Sequence, residues 1–121
     1  MTAEPNYRSI KLSAFPELPS DEKLSNNTYR AYDLVKGSYS LAVRLLNQDD
    51  ASALQLRMLA HRLKDDTWPL LAALSDDLDN EEWTEAAALR LGGAIVQLRL
   101  AGDQKQGSEC ASYAVSLPSD G

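Results

Sequence analysis

One cysteine and one histidine occur in 121 residues, and these scarcities exclude several kinds of chemistry. Cys110 has no second cysteine with which to form an internal disulfide, so a reducing, cytoplasmic setting is expected. Zinc sites built on two histidines or on paired cysteines are excluded for the same reason. No phosphate loop is present, because Gly92-Gly93 lacks the following Lys and Ser/Thr. A nucleophile-elbow glycine pattern is missing as well, and Cys110 stands far along the chain among small and polar residues. The longest apolar stretch, residues 86–98, is broken by Arg90, Gly92, Gly93 and Gln97 and falls short of the ~20 residues of a membrane span. The opening MTAEPNYRSIKL has no basic region followed by an apolar run, so no secretory signal is expected.

What the chain does contain is the balance of one ordinary globular domain, 44% hydrophobic and 25% charged. At this length roughly two thirds of the unfolded surface can be buried, enough for a core without disulfides or metals. Residues 1–25 carry Pro5, Pro16 and Pro19 between apolar islands at Ile10, Leu12, Phe15 and Leu18, which predicts an extended N-terminal arm. Residues 26–102 show no sustained β-type alternation and contain one proline, Pro69, so this segment is expected to be a helical bundle. Residues 103–121 are rich in Gly, Ser, Asp and Gln and are expected to form a flexible tail.

The first helix is expected from Asn26 or Asn27, either of which can cap it, to about Asn47. Tyr32, Val35, Tyr39, Ala42 and Leu46 form one apolar row on it, and Ala31, Leu34, Leu41 and Leu45 form a second row beside the first. Asp49 or Asp50 is the expected cap of a second helix that turns Ala53, Leu56, Leu59, Ala60 and Leu63 one way. The run Asp65-Asp66-Thr67-Trp68-Pro69 reads as a helix start, yet the apolar phase continues through Thr67, Leu70, Leu74 and Leu78. One long helix kinked at Pro69 is the preferred reading. The last helix should start at Asp79 or Asn80, with Glu81 and Glu82 favoured in its first turn by the helix dipole, and should stop at Gly102. Its inward stripe is Trp83, Ala87, Ala88, Leu91, Ile95 and Leu98. Gly92-Gly93 in its middle costs about 2 kcal/mol of helix propensity, which calls for a close approach by another helix or for a local kink.

Charge is divided along the chain. Residues 26–64 hold Arg30, Lys36, Arg44, Arg57, Arg62 and Lys64 against three carboxylates, whereas residues 65–101 hold only Arg90 and Arg99 against eight. The two halves are therefore expected to pack together, within one bundle or between two copies. The overall charge of −6, with no cluster of Lys and Arg, argues against direct nucleic-acid binding and for a basic protein partner. The cluster Asp76, Asp77, Asp79, Glu81 and Glu82 lacks the mid-loop glycine and ligand alternation of a calcium loop, so no metal is expected there.

The surroundings of His61 are similar to the phosphorylated helix of histidine phosphotransfer domains, with Ala60, His61, Leu63 and Lys64 matching that family's pattern. The resemblance implies an all-helical bundle with His61 as phosphoacceptor. Asp65 departs from it, standing where the family carries glycine and followed by Asp66, so that two carboxylates lie beside the phosphoryl position.

The expected fold is all-α, a three- to four-helix bundle with an extended arm and a flexible tail. Its apolar faces exceed what three helices hide, which predicts a homodimer. The expected function is a small acidic, non-catalytic interaction or regulatory module, without cofactor or membrane association. Its partner-binding residues would be Asp76, Asp77, Asp79, Glu81 and Glu82 together with Ile10, Leu12 and Phe15 of the arm. The alternative is phosphotransfer signalling through His61.

Overall fold

The computed structural model describes residues 14–19 and 24–116, with residues 109–116 described as backbone alone. Four helices, α1 (Asn26–Leu46), α2 (Ala53–Arg62), α3 (Trp68–Leu78) and α4 (Glu81–Ser116), make an all-α bundle with no strand among the described residues. Residues 14–19 and 24–25 are non-helical, as the prolines of the arm require. Ile10 and Leu12 lie outside the described residues.

Serine, not asparagine or aspartate, caps the first two helices. The Ser25 hydroxyl accepts from the Thr28 amide at 3.2 Å. Ser52 and Gln55 form a reciprocal capping box, with the Gln55 amide donating to Ser52 Oγ and the Ser52 amide donating to Gln55 Oε1. Asp49 and Asp50 are displaced from the role because Ala51, just before the cap, is buried with Leu56 of the second turn and fixes where α2 begins.

Between α2 and α3 the chain does not break. Residues Leu63–Thr67 form a π-helical turn, and the Trp68 amide donates to the Leu63 carbonyl five residues back. Pro69 supplies no N–H and its ring would collide with the carbonyl four residues earlier, so widening the preceding turn absorbs the misfit. The expected continuous helix therefore exists, with its irregularity one turn ahead of the proline. Leu63, Thr67, Leu74 and Leu78 are buried along it as expected, and Leu71 takes the buried place expected of Leu70, which is only partly buried.

Asp79 ends α3 in the left-handed region at φ 47°, and the Asn80 side chain accepts from the Trp83 amide at 3.0 Å to start α4. Substituting Asn80 with Ala removes that cap and is expected to cost about 1 kcal/mol; a urea unfolding curve with an unchanged midpoint would contradict this role.

Phe15 of the arm is 5% exposed and completes the core. Its ring lies 6.1 Å from Tyr32, 5.4 Å from Tyr39 and 6.1 Å from Trp83, meeting the indole edge-on. Backbone carbonyls of the arm accept from the same cluster, Glu17 from the Trp83 indole at 2.9 Å and Pro16 from the Tyr32 hydroxyl at 3.0 Å. Burial pushes the Tyr32 and Tyr39 phenols above the ordinary tyrosine range.

The expected stop at Gly102 does not occur, and α4 continues to Ser116. Gly102 is instead packed against α2: a Cβ there would stand 2.9 Å from Arg57 Cγ and 3.6 Å from the Ala53 carbonyl. Beyond it, Arg57 pairs with Asp103 at 2.6 Å, and Lys105 donates to the Asp49 carbonyl at 2.8 Å. These contacts hold the helix to the start of α2 where the sequence suggests a tail.

Candidate interaction surfaces

With the core complete, several large apolar side chains remain outside it, and they fall into rows. On α1, the row Tyr32, Val35, Tyr39, Ala42 and Leu46 is buried, whereas Leu34 and Leu41 of the second row are 59% and 46% exposed. On α4, the inward stripe is buried, with Ala94 taking the place expected of Ala88. On its opposite side Leu89, Gly93, Val96 and Leu100 recur at spacings of four, three and four, the repeat of a helix–helix seam. Leu89 is 65% and Val96 51% exposed. The sequence reading missed this outer row because it fitted a single inward stripe to α4; the heptad spacing was the signal available.

Gly92-Gly93 lies within that outer face. α4 runs through the pair without a break, and among the described residues the expected close approach of another helix is limited to one side chain. Among those residues a Cβ at Gly92 would meet the Trp68 ring of α3, at 3.9 Å, and one at Gly93 would meet nothing within 4 Å. Trp68 itself is exposed beside the row.

The carboxylates of Asp76, Asp77, Asp79, Glu81 and Glu82 are brought together at the turn between α3 and α4, all exposed. The turn is fixed at three points: the Asp79 amide on the Ser75 carbonyl, the Asn80 cap on Trp83, and the Thr28 hydroxyl on Asp77 at 3.4 Å. Asp76, Asp79, Glu81, Glu82 and Glu85 make no ion pair among the described residues. Helix phase separates them: Glu82 and Glu85 stand at the head of the outer row of α4, and Asp76 and Asp77 on the outer side of α3. Phe15 is not part of this surface, being enclosed by Tyr32, Tyr39 and Trp83 of its own chain.

At the other end of the same side, α2 and α4 border a shallow cleft of about 250 Å³ lined by Arg57, Ala60, His61, Arg99 and Asp103. His61 Nε2 lies 2.8 Å from Asp65 Oδ2 one turn on, and both side chains are largely exposed. Asp65, the residue that departs from the phosphotransfer pattern, thus engages that nitrogen directly. Among the described residues no group of three or more His, Cys, Asp or Glu is placed to hold a metal ion, and no helix is long and apolar enough to cross a membrane.

Compared with protein-family models, with curated proteins and with solved structures, the chain has no match.

Proposed function

We propose that this chain is a small acidic interaction module that acts by binding proteins through its helix faces, not by catalysis. The observation that carries the reading is the apolar surface left outside a filled core, Leu34 and Leu41 on α1 and Leu89, Val96 and Leu100 on α4. Large apolar side chains grouped in rows on a small domain mark contact surfaces, whereas isolated ones need no explanation. One use of this surface is self-association. Another is capture of a basic segment of a second protein at the rigid turn bearing Asp76, Asp77, Asp79 and Glu81, whose negative charge is held in place before any partner arrives.

Paired Asp76→Lys and Glu81→Lys substitutions test the second use. Proteins retained by the immobilised wild-type chain from an extract of its source cells are expected to be lost from the reversed chain, while the unfolding midpoints of the two stay close. Retention of the same proteins by both would remove the acidic turn from the account. Asp65 on His61 Nε2 favours the interaction reading over phosphotransfer, because a carboxylate at that nitrogen opposes the arrival of a phosphoryl group.

A further inference from the structure

From the outer face of α4 we infer that two copies of this chain associate through antiparallel α4 helices crossing at Gly92-Gly93. The inference rests on the interaction reading above and specifies its self-association. Three features of one side of the molecule fit together under a two-fold axis perpendicular to α4.

The first is the glycine pair. Two adjacent glycines in mid-helix are costly, and among the described residues nothing approaches Gly93 closely enough to exploit its missing side chain. A second α4 crossing at this step does exploit it, because the backbones can then approach more closely than any larger residue permits.

The second is the apolar row. Residues equidistant from the glycine step face each other across the axis, so Leu89 meets Val96 of the second copy, and Trp68, beside Gly92, comes next to its own equivalent. Side chains now exposed to water would be covered in both chains at once.

The third is charge. Glu82 and Glu85 precede the apolar row, and Arg99 stands near its far end, in the cleft where Arg57 is paired with Asp103. Glu85, Gly92 and Arg99 lie on the same flank of α4, seven residues apart. Antiparallel packing brings Glu85 of each copy to the mouth of the cleft formed by Arg99 and His61 of the other. Parallel packing would set carboxylates against carboxylates and guanidiniums against guanidiniums. The face from Glu85 to Asp103 is about 27 Å long and two helices wide, on the order of 600 Å² per copy, below the ~800 Å² of a standard interface. The dimer is therefore one that dissociates on dilution.

Sedimentation of the full chain across a concentration series, with three charge variants, tests this arrangement. Glu85→Arg alone and Arg99→Glu alone each create two like-charge contacts and should weaken dimerisation at least about tenfold. An equimolar mixture of the two restores both contacts and should dimerise about as well as the wild type, as should the double variant. Gly93→Ala gives an independent reading: helix stability, measured where every chain is monomeric, should rise, while dimerisation weakens. A wild-type dimer indifferent to all four variants would overturn this interface and leave self-association through another face, such as Leu34 and Leu41, standing. A chain monomeric at every concentration would overturn self-association altogether, while capture of a partner at the acidic turn would still be judged by its own test.

Discussion

Replacing Phe15 with alanine lowers the unfolding free energy by about 3 kcal/mol, the range for truncating a buried aromatic ring in a core that cannot fully collapse around the gap. The loss has two sources. The ring's packing on Tyr32, Tyr39 and Trp83 disappears, and the arm that it anchors no longer places the Glu17 and Pro16 carbonyls on the Trp83 indole and the Tyr32 hydroxyl. Urea unfolding followed by tryptophan fluorescence reads the first. Limited proteolysis reads the second, since cleavage within residues 14–19 should become rapid in the variant. A loss below about 1 kcal/mol would mean that the arm contributes little to the core despite its burial.

Gly102→Leu should cost about 2 kcal/mol by forcing α2 away from α4 at a point of close contact. A Cβ at this position already stands 2.9 Å from Arg57 Cγ and 3.6 Å from the Ala53 carbonyl, so further carbons have no room unless the helices separate. Gly102→Ala is the informative companion. Its single methyl requires Arg57, held by Asp103, to shift at Cγ near the base of the side chain, and the roughly 1 kcal/mol gained in helix propensity offsets part of that cost. Near-wild-type stability for alanine with a clear loss for leucine is the expected pattern by thermal or urea unfolding. Equal stability of all three would show that the helices are not in close contact at this glycine.

How much of this was legible in the sequence varied with the kind of signal. Periodicity placed the helices well: the rows on α1 and α2 that alternate at three and four are the rows the core buries, and the apolar phase carried the helix across Pro69 despite a strong start signature. Caps were less legible, because Ser25 and Ser52 compete with neighbouring Asn and Asp residues of similar capping power, and tertiary burial of Ala51 decided between them at α2. The glycines misled most. Gly102 looks like a helix stop, and only the opposing Arg57 and Ala53 show that it is a contact point between helices. The pair at Gly92-Gly93 suggests a close approach or a kink, and among the described residues only the Trp68 ring comes near it, at 3.9 Å from a Cβ placed on Gly92. A single sequence marks where a small residue is needed without showing which surface needs it.

The candidate site was legible in part. The acidic cluster is exposed and collected at one turn, as its spacing suggests. The pairing of basic and acidic halves, by contrast, is not completed inside the bundle, and the carboxylates heading α4 remain without cations among the described residues. Phe15 is open in sequence to docking on its own bundle or on a partner and docks on its own core, because the three aromatic residues that enclose it lie on α1 and α4 and meet only in the folded chain. The outer row of α4 became evident once the inward side of that helix was fixed.

Apolar surface left outside the core is used in association, first of all between copies, and light scattering of the wild-type chain across a concentration series reads that association. The mass is expected to rise with concentration from 13.3 kDa toward twice that value and to level there; a mass that stays at 13.3 kDa throughout would show that the copies do not associate.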